Sequence, residues 1–217
     1  MGRNHAFRSC TLAYRRVNRL FRENGGPMAR ASATRQEPRR RILQAALELV
    51  AGGGYEALQV RAISERAGVS SRTIYANFSS LDSLLIVAIA EQSEALYTRF
   101  TQSPPRGRNA SERVDRLISD LTQTMTANRE ITVALLRALL SGKPDVSQYV
   151  HGFGGVLQTM LASAIAPDGP TERDRKVAEL LESIWFAALV GWTSGTTADG
   201  DIGGIMRRAC GLLLPEG

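Results

Sequence analysis

Apolar residues recur at helical spacing along most of this chain, and no stretch alternates apolar and polar residues over the length of a strand. Ile42, Leu43, Ala46, Leu47 and Val50 predict a first helix over about 38–51, opened near Pro38 and stopped by the glycines at 52–54. A short helix over about 59–66 turns Ile63 and Ala67 inward, Gly68 supplies a turn, and a third helix follows over about 70–77. A fourth begins near Ser80, where Ser79 and Asp82 stand in a capping-box arrangement, and carries Leu84, Leu85, Ala88, Ile89, Leu96 and Phe100 to about residue 100. TQSPPRGRN (101–109) reads as a loop. Further helices are expected over about 111–127, 129–141, 145–166, 171–195 and 201–214, separated at Asn128, SGKP (141–144) and APDGP (166–170). The pattern predicts an all-α chain, with a three-helix N-terminal head over 36–82 and a C-terminal helical bundle over 83–217.

The third helix is the unusual one. In SSRTIYANFSS (70–80) most of one side is small or polar. At 100° per residue, Ile74, Phe78 and Ser70 share the buried side, and Arg72 and Ala76 lie opposite. Thr73 and Asn77 fall on one flank and Tyr75 on the other. Two short helices joined across AGV form a helix-turn-helix, with Ala67 small where they pack. A helix that enters a DNA major groove must show short donors and acceptors to base edges. Arg72 can bridge guanine, Thr73 and Asn77 can reach bases or phosphates, and the Tyr75 hydroxyl suits a phosphate oxygen. Arg61, on the preceding helix, faces the expected duplex.

Charge strengthens that reading through its location. Residues 1–41 hold eleven arginines against Glu23 and Glu37, whereas the whole chain has a net charge of +6. The remainder is therefore net acidic, and the basic block points to a polyanion near the N-terminus. Residues 1–35 are expected to be a basic, disordered extension, with Met28 an alternative start. Cys10 and Cys210 stand at opposite ends, and His5 and His151 have no nucleophile or metal ligand at useful spacing. These facts call for no metal and no cofactor, fit a reducing cytoplasmic setting and argue against an enzyme. No apolar run approaches the roughly 18 residues of a membrane span, so no membrane partner is expected.

RRRILQAALELVAGGGYEALQVRAISERAGVSSRTIYANFSSLDSLL resembles the DNA-binding head of the TetR (tetracycline-repressor-like) family of bacterial regulators. That resemblance implies an all-helical fold, a variable ligand-binding body and a homodimer built from the last two helices. By position, Arg61, Ser70, Ser71, Arg72, Thr73, Tyr75 and Asn77 match the family's DNA-contacting stations, and Arg39, Arg40 and Arg41 lie where the family approaches the backbone or minor groove. One station departs: the lysine that usually follows F-x-S is Leu81. GGYEALQVRAI (53–63) and ESIWFAALVGW (182–192) are similar to actinobacterial repressors of steroid catabolism, which implies steroid metabolites carried on coenzyme A.

The later helices hold more apolar residues than a small core needs. Leu121, Met125, Phe153, Leu157, Met160, Trp185 and Leu189 are the candidate lining of a ligand cavity, with Asn128 a polar contact. Leu181, Ile184, Ala188, Trp192, Ile205 and Leu212 are candidate dimer contacts, and Ala187, Gly191 and Gly195 offer small surfaces for close approach. The function expected is that of a repressor released from a palindromic double-stranded operator by a small apolar molecule, with steroid metabolites and CoA thioesters as candidates. The alternatives are an architectural DNA-binding protein without a ligand and a helical-bundle enzyme.

Overall fold

The computed structural model of the protein describes residues 33–92, 98, 100, 102–198 and 200–214; the arginine-rich stretch before them lies outside the described residues. Among these, the regular elements are all helical. The first helix, α1 (Ala33–Gly53), is followed by a 3-10 turn at Tyr55–Ala57, then α2 (Val60–Ala67), α3 (Ser71–Asn77) and α4 (Leu81–Gln92). After the loop come α5 (Ala110–Thr126), α6 (Arg129–Leu139), α7 (Pro144–Ile165), α8 (Glu172–Thr193) and α9 (Asp201–Leu213).

The chain forms two compact units. The head unit holds α1 to α4 together with Asn128–Gly152, which supplies α6 and the first part of α7. Its core is built from Ile42, Ala46 and Val50 of α1, Ile63 of α2, Ile74 and Phe78 around α3, and α4. Residues 82–90 of α4 are buried on every side, as expected of a helix apolar all round, and α1 and α6 both pack on it. Gly68 caps α2 at φ +62°, a left-handed conformation that costs other residues roughly 1–2 kcal/mol. Gly68→Ala is therefore expected to lower the unfolding free energy by that amount, read as a lower urea midpoint with an unchanged m-value. A Cβ there would also stand 3.4 Å from the Arg41 guanidinium, which lies over the turn.

Within the body unit, α9 packs on α5 and α8. Trp185 Nε1 of α8 donates to Thr122 Oγ1 of α5 at 2.9 Å. Arg113 of α5 donates to the carbonyls of Ala164 and Ile165 at 2.7 and 2.9 Å, satisfying the open C-terminal end of α7. Thr171 and Asp174 form the capping box that starts α8.

The start of α4 differs from its reading in the sequence. The reciprocal cap joins Ser80 and Ser83, each backbone N–H bonding the other's hydroxyl at 3.1 Å. Asp82 is instead wholly buried. Ser70, read as part of the buried side of α3, is exposed because its hydroxyl caps that helix on Thr73 N at 3.2 Å.

Candidate nucleic-acid interface

The exposed side of α3 carries Ser71, Arg72, Tyr75 and Ala76, with Thr73 and Asn77 half-buried at its flank. Ile74, 1% exposed, anchors the opposite side. Tyr75 is 62% exposed, large for an aromatic ring. Arg72 is exposed and pairs with no carboxylate among the described residues. Two of the predicted polar groups are partly committed to the helix itself. The Asn77 amide donates to Thr73 O at 2.7 Å, and the Thr73 hydroxyl lies 2.9 Å from that of Ser70. Ala76 was not among the predicted contacts, yet a methyl on this face can meet a thymine methyl.

The predicted arginines fall into two groups. Arg61 is exposed and pairs with Glu65 at 2.9 Å, and Arg40 pairs with Glu37 at 2.8 Å. The Arg40 hydrogen bond holds the Glu37 carboxyl below its ordinary range. Exposed pairs of this kind open readily for a phosphate. Arg41 is exposed beside the α2–α3 turn. Arg39 is used inside the head: it pairs with Glu91, lies 5.7 Å over the Phe78 ring, and its Nη2 is buried without an acceptor among the described residues. Leu81, at the station usually held by lysine, is half-buried.

Sequence reasoning missed a polar cluster beside this helix. Asp82 Oδ1 accepts from the Tyr55 hydroxyl, and Oδ2 lies 2.6 Å from the Lys143 ammonium. Besides that ammonium, nothing among the described residues donates to Oδ2. Burial, and then the bond to Asp82, push the Tyr55 phenol up to about 12. Arg137 stacks 4.2 Å over the Tyr55 ring and pairs with Glu56. Asp145 accepts from Ser79 at 2.9 Å and Ser80 at 2.6 Å. Burial opposes its charge, but those hydroxyls hold its carboxyl below the ordinary range.

In the body unit the predicted cavity residues separate. Leu121 and Met160 line a small cavity of about 50 Å³ with Phe100, Ser103, Pro105, Leu117 and Asp120. Trp185 and Leu189 are buried, and Leu157 and Met125 are half-buried. Asn128 is the N-cap of α6, accepting from Ile131 N at 3.1 Å, and belongs to the head unit. The Phe153 side chain lies outside the described part. The predicted dimer stripe also divides. Leu181, Ala188 and Trp192 are buried within the chain, whereas Leu212 is 86% exposed; Leu180, which was not among the predicted contacts, is 52% exposed. Ile184 and Ile205 are half-buried. Gly191 is needed by the chain's own fold: a Cβ there would stand 2.4 Å from the Thr197 hydroxyl.

A glycine turn between two short helices, the second displaying arginine, tyrosine and short polar groups, defines a helix-turn-helix DNA-binding regulator. The family model for bacterial regulatory proteins of the tetR family matches residues 42–88, and that for the tetracyclin repressor-like C-terminal domain matches 107–213. The HTH-type transcriptional repressor KstR of Rhodococcus jostii (strain RHA1) is 34% identical over 187 residues, 86% of this chain and 87% of that protein. The chain belongs to the TetR family. Its fold is shared by a TetR transcriptional regulator from Rhodococcus sp. RHA1, with a TM-score of 0.72 at 22% identity over 83% of this chain and 97% of that one. It is shared also by Thermus thermophilus FadR, solved in complex with lauroyl-CoA, with a TM-score of 0.63 at 19% identity over 82% and 97%. The protein is a transcriptional regulator and not an enzyme. No single helix among the described residues is long and apolar enough to cross a membrane.

Proposed function

We propose that this protein is a homodimeric repressor that holds a palindromic operator through α3 and leaves it when a small apolar ligand enters the body. The carrying observation is the exposed Arg72, unpaired among the described residues, beside Tyr75 on a helix anchored by Ile74. Arg72 reads guanine, and Ser71, Thr73, Asn77 and Ala76 meet neighbouring base edges or phosphates. Tyr75, Arg61, Arg40 and Arg41 face the phosphate backbone, and Ser70 serves as the cap. Two heads spaced one helical turn apart, roughly 34 Å, would bind both half-sites on one face of the duplex. The outward apolar residues Leu180, Ile184, Ile205 and Leu212 fit a two-fold contact between copies.

The lauroyl-CoA bound to a protein of the same fold, together with the resemblance of GGYEALQVRAI and ESIWFAALVGW to steroid-catabolism repressors, favours an acyl or steroid thioester of coenzyme A. A cavity of about 50 Å³ is far below the roughly 300–1,000 Å³ of small-molecule sites, so the ligand selects a state in which the body has opened near Leu121 and Met160. Release then follows from its preference for that state over the DNA-bound one.

Selection of duplexes from a random pool, followed by titration of the bound complex with lauroyl-CoA and a steroid–CoA thioester, tests this reading. The expected result is an enriched palindrome and its release by one of the two thioesters. Retention of duplexes without a common sequence would leave an architectural protein in its place.

A further inference from the structure

The two serines that join α3 to α4 are gripped by a distant part of the chain. Phe78 caps α3 and Leu81 begins α4, so Ser79 and Ser80 are the whole connection. Both donate to Asp145, at 2.9 and 2.6 Å. Two residues into the connection's far side, Asp82 is 0% exposed and depends on Lys143 for the ammonium 2.6 Å from Oδ2. A buried carboxylate that loses the one cation in salt-bridge contact with it among the described residues is strongly destabilised, so α4's first turn must follow Lys143. A two-residue link leaves α3 little freedom once α4's first turn is held.

Lys143 and Asp145 lie outside the stretch matched as the family's DNA-binding part, 42–88, yet belong to the same compact unit as α3. They stand just before and at the start of α7, whose residues from Phe153 onward belong to the body unit. One helix is therefore common to the ligand half and to the grip on the reading helix.

We propose that Lys143 and Asp145 are positioning residues for DNA reading, a latch that fixes the direction of α3 and lets go when α7 shifts. This rests on the DNA-reading role argued above. The rival reading makes Lys143 a phosphate contact that replaces the cation missing at Leu81. Charge opposes it: the ammonium is already paired, and two carboxylates, Asp82 and Asp145, surround it. A phosphate approaching that spot meets net negative charge.

The test uses the full chain with Lys143→Met, Lys143→Arg and Asp145→Ala. Hydrogen exchange is followed on peptides covering 70–80, and affinity for the selected duplex is measured across a salt series. Lys143→Met and Asp145→Ala are each expected to speed exchange over 70–80 roughly tenfold, leaving α8 and α9 peptides unchanged. Both should weaken duplex binding about tenfold with the wild-type salt slope, since no phosphate contact is lost. Lys143→Arg should restore both properties. Unchanged exchange or unchanged affinity overturns the latch. So does a salt slope lowered by about one in Lys143→Met, the mark of a lost phosphate contact. If Lys143→Met does not fold, Asp145→Ala, at a half-exposed site, decides alone. Should the wild-type chain prefer no duplex, the repressor reading fails, and the exchange measurement still decides the latch.

Discussion

Arg72→Ala is expected to weaken binding to the selected operator by roughly ten- to a hundredfold, because a bidentate arginine–guanine pair is worth about 1–3 kcal/mol of discrimination. The loss should be confined to one base pair of each half-site: duplexes altered at that position should bind wild type poorly and the variant no worse than the intact operator. Arg72 suits this role because it is exposed and has no competing carboxylate among the described residues. Tyr75→Phe should behave differently. Removing one hydroxyl from a phosphate costs about tenfold and weakens all related duplexes alike. Neither variant alters a buried atom, so melting temperature and mass in solution should stay as in wild type. Anisotropy titrations on the operator and its single-base variants separate the two patterns. Normal binding by both variants would move the reading surface off α3.

Local chemistry was legible in the sequence where a single residue or a short repeat decides the structure. Gly68 predicted the turn because left-handed geometry admits little else, and the period of Ile42, Ala46 and Val50 predicted α1 and its inward face. The loop, expected at 101–109 and present over 103–109, and the breaks at Asn128 and 166–170 were marked by their prolines, glycines and capping side chain. What escaped depends on residues far apart. Asp82 reads locally as a helix cap, and only the fold brings Lys143 to it; Asp145 meets Ser79 across 66 residues of sequence. Ser70 failed for a different reason. A helical wheel assigns every position to a face, but an N-cap lies outside the helix and turns its hydroxyl to the backbone. In α8, periodicity shows that apolar residues occupy more than one stripe without saying which stripe the chain's own core takes.

That last ambiguity yields a sharp experiment, since Leu180 and Leu181 are neighbours pointing about 100° apart. Leu181 is 0% exposed, and Leu181→Ala should cost about 2–5 kcal/mol of folding stability through lost burial and the cavity left behind. Leu180 is 52% exposed in the single chain, so Leu180→Glu has no core to disrupt and should fold with nearly the wild-type urea midpoint. Its effect should fall on assembly. A carboxylate in the centre of a two-fold apolar contact meets its own copy, an unpaired buried charge facing a like charge. Light scattering should then report a monomer. A single head loses the second half-site, and operator affinity should fall by roughly two to four orders of magnitude, the range by which linked sites exceed single ones. Leu212→Glu, on α9, should reproduce this phenotype because Leu212 is 86% exposed. If Leu180→Glu and Leu212→Glu both remain dimeric and bind the operator, the copies meet elsewhere and the outward stripe of α8 and α9 serves another purpose.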